Sequence, residues 1–196
     1  MRPSPAYLAL GYVTGPPVRL LFRLRASGLE HVPRETGAVL AANHHSSFDP
    51  WPLGLPLFPD RWLRFMAKSE LYWFPLRLVL EAGGAFPVRR GQRDVEAIET
   101  AVELCRRGEI VVMFPEGTRR RKGLRKKWEA RAHTGAARIA RDAGVPLVPA
   151  AIAGTDRLRR LAPLRVAYGP PVDVGDDVSE TTDRLMEAIH RLETTL

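Results

Sequence analysis

Short apolar runs closed by polar or glycine-bearing turns alternate along this chain with stretches whose apolar residues recur at helical spacing. Ala38-Val39-Leu40-Ala41-Ala42 has no polar member and reads as a buried strand, and Ile110-Val111-Val112-Met113-Phe114 is the clearest strand of all. Further strand-length runs lie at 25–30, 63–67, 85–88 and 164–168, and a longer one at 145–153 is bent by Pro146 and Pro149. Helices are predicted at 51–57, 76–81, 94–107, 136–143 and 179–192. Val95, Ile98, Val102 and Cys105 form the buried stripe of one, and Leu185, Ile189 and Leu192 that of another, while Gly108 and Gly144 supply stops. Residues 115–132 read as one long polar loop. Strands alternating with helices predict an α/β fold: a single domain with a central mixed sheet flanked by helices.

The N-terminal apolar region, 6–24, is interrupted by Gly15-Pro16-Pro17 and by Arg19 and Arg23. It is too broken for the roughly 20 apolar residues of a membrane span. Short amphipathic pieces lying on a membrane are one expectation, and a plain packing helix the other. The chain divides into a helical segment at 1–24, a candidate for membrane association, and a folded domain at 25–196. Trp51, Trp62 and Trp73 with Phe58, Phe65 and Phe74 concentrate aromatic surface, expected mostly in the core with a portion at a bilayer interface.

Composition narrows the partners. The chain has 196 residues, enough for one domain, and its 45% apolar and 27% charged residues are those of a folded globular protein. A single cysteine, Cys105, excludes an internal disulfide and reads as a core thiol. The net charge of +8 favours anionic partners. Arg119-Arg120-Arg121-Lys122 with Arg125-Lys126-Lys127 has only Trp128 interleaved and no nucleic-acid fold signature. A basic loop facing an anionic membrane surface or an acidic carrier protein fits it better.

The candidate chemistry starts after the first buried strand. Asn43-His44-His45-Ser46-Ser47-Phe48-Asp49-Pro50 precedes Trp51-Pro52-Leu53-Gly54-Leu55, which gives strand, polar turn and helix in that order. Asp49 suits an N-cap and Pro50 the first helical position. On a regular helix the offset from His44 to Asp49 would turn the two side chains roughly 140° apart. They meet only with His44 in the turn and Asp49 at the first helical turn. Phe114-Pro115-Glu116-Gly117-Thr118-Arg119 follows the clearest strand and opens on the same sheet edge; Gly117 permits close backbone approach and Arg119 a bidentate phosphate contact. Arg90 and Lys68 end two further strands. No metal is expected, because adjacent histidines converge poorly and zinc spacings are absent. The chain also has no Gly-x-Ser-x-Gly elbow for a serine hydrolase.

Taken together, Asn43-His44-x4-Asp49, Gly84-Ala85-Phe86-Pro87-Val88-Arg89-Arg90, Phe114-Pro115-Glu116-Gly117-Thr118-Arg119 and Val145-Pro146-Leu147-Val148-Pro149 resemble the four blocks of the glycerolipid acyltransferases in order and spacing. By size the chain is most similar to the bacterial 1-acylglycerol-3-phosphate acyltransferases. The resemblance implies a glycerol-3-phosphate acyltransferase-like fold and transfer of an acyl group from acyl-CoA or acyl-carrier protein to the hydroxyl of a phosphorylated lysolipid. It implies no cofactor, and a peripheral place on the cytoplasmic face of a membrane. His44 would be the general base and Asp49 its orienting partner. Arg90 and Arg119 would bind the acceptor's phosphate, with Glu116, Gly117 and Thr118 shaping that site and Lys68 assisting. Val145, Pro146 and Pro149 would line the acyl-donor side. His45 occupies a variable position of the first block, so spacing selects His44. Arg89 stands where many phosphatidic-acid-forming members carry Asp, and Thr134 where the family usually has Lys before the helical Gly135. Lysophosphatidic acid leads as acceptor, followed by glycerol 3-phosphate or another lysolipid; a noncatalytic lipid-binding relative is the competing class.

Overall fold

A computed structural model describes residues 3–88, 95–116 and 132–196. The apolar runs become strands: β1 (Arg25–Ser27), β2 (Ala38–Ala42), β3 (Leu63–Lys68), β4 (Ala85–Val88), β5 (Ile110–Met113), β6 (Leu147–Ala153) and β7 (Arg165–Tyr168). Among the described residues they form one sheet of order β1-β7-β6-β2-β5-β3-β4. Neighbours pair in parallel except β6 with β7, so the sheet is mixed. β2 is the middle strand and is buried along its whole length, which is why it carries no polar residue.

Alternation along the strands assigns the two faces. Val39, Ala41, Val111 and Leu147 turn toward one helical layer, made of α4 (Val95–Arg106), α5 (Gly135–Ala143) and α6 (Val178–Glu193). Leu40, Ala42, Ile110, Val112 and Val148 turn the other way, onto Leu53 and Leu57 in and after α2 (Pro50–Gly54) and onto Tyr168. Cys105, on α4, is buried within the first layer, and burial pushes its thiol up to about 12.

Two strand boundaries differ most from expectation. The run at 25–30 ends as a strand at Ser27, because Gly28 adopts φ +74° and residues 29–31 form a 3-10 turn. A Cβ at Gly28 would stand 1.9 Å from the Tyr168 carbonyl oxygen, so the close β1–β7 approach itself requires glycine. The run at 145–153 begins as a strand only at Leu147, with Val145 and Pro146 leading into it. At the N-terminus the packing helix, one of the two expectations, is what forms. Pro5–Leu21 forms one continuous helix, α1, that runs through Gly15-Pro16-Pro17 rather than breaking there. Each proline deprives the carbonyl four residues earlier of a partner, and both carbonyls belong to exposed residues, Tyr12 and Val13, within reach of water. Tertiary packing then holds the helix. Tyr7 is buried against Trp51, Phe58 and Trp62, and a Cβ on Gly11 would lie 2.2 Å from the Phe58 ring. Among the described residues no helix is long and apolar enough to cross a membrane.

Candidate active site

Because β2, β3, β4, β5 and β6 run parallel, their carboxyl ends open on one edge of the sheet. The turn after β2 places His44 there, the segment after β5 places Phe114 and Glu116, and β3 ends at the exposed Lys68.

His44 Nδ1 lies 2.8 Å from Asp49 Oδ2. The same oxygen accepts the backbone N–H of His45 at 2.7 Å and that of Ser46 at 2.8 Å. Asp49 occupies the N-cap position of α2, yet its own φ and ψ are already helical and its side chain makes no capping bond. The expected cap is replaced by a carboxylate folded back over its own turn. That reversal brings the pair together across an offset that a regular helix would separate.

Asp49 is fully buried. Burial pushes its carboxyl up, but the His44 ring, the Ser46 N–H, the Thr155 hydroxyl and the His45 N–H together outweigh that and hold it below the usual value. An ionised Asp49 can only accept, so His44 Nδ1 carries the proton and Nε2 keeps its lone pair in the neutral ring. Phe114 stacks on this imidazole with ring centroids 4.1 Å apart and planes 21° from parallel, fixing its tilt. The His44 side chain remains 14% exposed, which gives it access to a substrate.

His45 faces elsewhere. Its Nε2 lies 2.9 Å from Asn43 Nδ2 and 4.0 Å from Glu193 Oε1 on α6. The buried Asn43 amide exchanges two bonds with the backbone of Ile152, accepting its N–H at 2.8 Å and donating to its carbonyl at 2.9 Å. It also donates to Glu193 at 2.8 Å. A side chain thus continues the β2–β6 pairing by one step beyond the strand and anchors the turn that carries His44.

The expected phosphate site is only partly described. Lys68 pairs in register with Val88, the last residue of β4, and Glu116 is half-buried just beyond β5. Arg90, Gly117, Thr118 and Arg119 lie outside the described residues. The two ends of the segment after β5 meet, however, since the His133 N–H donates to the Pro115 carbonyl at 2.9 Å. Val145 and Pro146 are not brought to His44. They precede β6, where the Pro146 carbonyl accepts from Val39, roughly 15 Å of strand away from the turn. Pro149 lies opposite Ala41 and lines a hollow of about 500 Å³ with Gly169, Pro170 and Leu192.

Sequence reasoning missed Thr155, Ile152 and Glu193 as neighbours of the turn. Their contacts span 109 residues for Ile152 and 150 for Glu193 from Asn43, and no local pattern signals such distances.

The sequence profile described as Acyltransferase matches residues 23–153. A 1-acyl-sn-glycerol-3-phosphate acyltransferase of Bacillus subtilis is 33% identical over 153 residues, covering 75% of this chain and 72% of that protein. The chloroplastic 1-acyl-sn-glycerol-3-phosphate acyltransferase LPAT1 of Arabidopsis thaliana is 29% identical over 141 residues, 70% of this chain but only 38% of that longer protein. The crystal structure of the 1-acyl-sn-glycerophosphate (LPA) acyltransferase PlsC of Thermotoga maritima superposes with a TM-score of 0.71. It covers 96% of this chain and 79% of the other at 24% identity, a likeness of fold.

Proposed function

Because this chain belongs to the acyltransferase family, we propose that it moves a fatty acyl group from an acyl thioester to the hydroxyl of a phosphorylated lysolipid. The first acceptor is 1-acylglycerol 3-phosphate, which would give phosphatidic acid. The observation that carries this is the 2.8 Å contact of His44 Nδ1 with the buried Asp49 carboxylate.

An alcohol holds its proton too tightly to attack at neutral pH, whereas a thioester carbonyl is already activated. His44 Nε2 takes the hydroxyl proton as the oxygen bonds to the acyl carbon. Asp49 keeps the tautomer and stabilises the imidazolium that forms. When the tetrahedral intermediate collapses, the C–S bond breaks and the imidazolium returns its proton to the departing thiolate. Lys68 stands on the edge where the acceptor's phosphate would sit, and Arg90 and Arg119, with Glu116, Gly117 and Thr118, complete the grip that holds the hydroxyl in reach. Within the Val145–Pro149 block, Pro149, which lines the hollow beside α6, would face the acyl donor, acyl-CoA or acyl-carrier protein.

The substrates arrive from a membrane in this scheme. Tyr12, Val13, Leu20 and Leu21 are exposed on α1, and Trp73, Phe74, Leu78 and Val79 are exposed in and before α3 (Leu76–Ala82), which packs beside α1. Exposed apolar side chains of this size, with a net charge of +8, suit the surface of an anionic bilayer.

Mass spectrometry of the lipid products tests the assignment. The purified protein is given mixed acyl-CoA and acyl-carrier-protein donors, with several lysolipids and glycerol 3-phosphate presented in anionic or zwitterionic vesicles. Phosphatidic acid is the expected product, formed faster on anionic vesicles. Absence of any O-acylated product from every acceptor would defeat it.

A further inference from the structure

The Asp49 carboxylate is held on one side only. Oδ2 receives all three bonds the turn supplies, from His44 Nδ1 and from the N–H groups of His45 and Ser46. Oδ1 is equally buried and receives none. A buried carboxylate oxygen without a donor loses its hydration for no return.

One other buried oxygen near the turn is in the same position. Thr155 is 3% exposed, and its Oγ1 has no hydrogen-bond partner either. The chain is steered to this spot by two devices. Asn43 locks Ile152 beside the end of β2 through a pair of bonds at 2.8 and 2.9 Å. Gly154, at φ +95°, then turns the chain so that Thr155 opens a 3-10 segment, Thr155–Arg160. A Cβ at Gly154 would lie 2.3 Å from the Pro163 carbonyl oxygen, so the turn leaves little freedom to move elsewhere. The Thr155 hydroxyl is near enough to the carboxylate to favour its charged form, yet no hydrogen bond joins them, and rotation of the hydroxyl with a small side-chain shift would make one.

We propose that Thr155 is a positioning residue for acyl transfer: its hydroxyl donates to Asp49 Oδ1, the oxygen that the catalytic turn leaves open. Bonded at both oxygens, the carboxylate cannot rotate, and Oδ2 stays on His44 Nδ1 while the ring gains and loses its proton. Thr155 acts only through Asp49 and touches neither substrate. The inference rests on the acyl-transfer function proposed above.

Steady-state kinetics of Thr155→Val and Thr155→Ser, with an acceptor that the wild type uses, test it. Valine keeps the shape and removes the donor; serine keeps the donor and removes the methyl group. The expected result for Thr155→Val is a fall in kcat of about tenfold with KM for both substrates within about twofold, and recovery of at least half of kcat in Thr155→Ser. If Thr155→Val melts below the assay temperature, Thr155→Ala takes its place in the same comparison. Wild-type kcat in the variant lacking the hydroxyl overturns the inference. So does a serine variant as impaired as the valine one, since packing of the methyl group would then be what matters. An active wild type accompanies either of those results, whereas an inactive wild type removes the acyl-transfer function itself and this inference with it.

Discussion

In the proposed reaction Asp49 must stay ionised and stay fixed, and burial opposes the first of these. Three N–H donors on one oxygen resolve the conflict by favouring the charged form. The consequence for stability has a definite sign. A carboxyl held below its usual value of about 3.9 contributes stability that is complete above that pH and is lost as pH falls through its lower folded value. Asp49→Asn should therefore be less stable than wild type at pH 7, and the difference should shrink toward pH 3. Urea denaturation at several pH values measures it, and a difference that stays constant with pH would count against an ionised Asp49. The pairing of His44 with Asp49 was legible in the sequence because an Asp-Pro helix start following a polar turn is the one local arrangement that lets that offset close. The manner of closing was not legible, since a carboxylate folded onto its own turn and one capping the helix share the same residues.

At the scale of elements, the turn that carries His44 is fastened from two directions. Asn43 ties it to β6 through Ile152 and to the last residue of α6 through Glu193. Replacing Asn43 by Ala leaves the buried Ile152 N–H and carbonyl without these partners. The expected cost is about 1–3 kcal/mol of stability, read by denaturant titration, together with slower turnover as the turn loosens. A variant of unchanged stability would show that the amide is dispensable. Strands were legible as apolar runs and helices as stripes with glycine stops, because both signals are local. The N-terminal helix shows where such local signals stop. α1 continues through Pro16 and Pro17 because Tyr7 and Gly11 pack it onto Trp51, Phe58 and Trp62, contacts that local propensity does not contain.

For the whole molecule, the decisive fact is that five parallel strands bring their carboxyl ends to one edge. Residues far apart in the chain, His44, Lys68, Phe114 and Thr155, become neighbours of a single site edge through strand order alone. Order and spacing of the sequence blocks pointed to that edge, but strand order is set by long-range packing, and with it the positions of Val145 and Pro146 at the far end of β6. Under the proposed function, the exposed apolar residues on α1 and in and before α3 are the surface that would meet a bilayer. The account turns on His44 as the proton acceptor. Its most direct test is the rate of acyl transfer by purified His44→Ala beside the wild type, with matched circular dichroism and melting curves. A loss of roughly 10²–10⁴-fold in turnover, with the fold intact, is the result predicted. Turnover by a folded His44→Ala within a few-fold of wild type would contradict it.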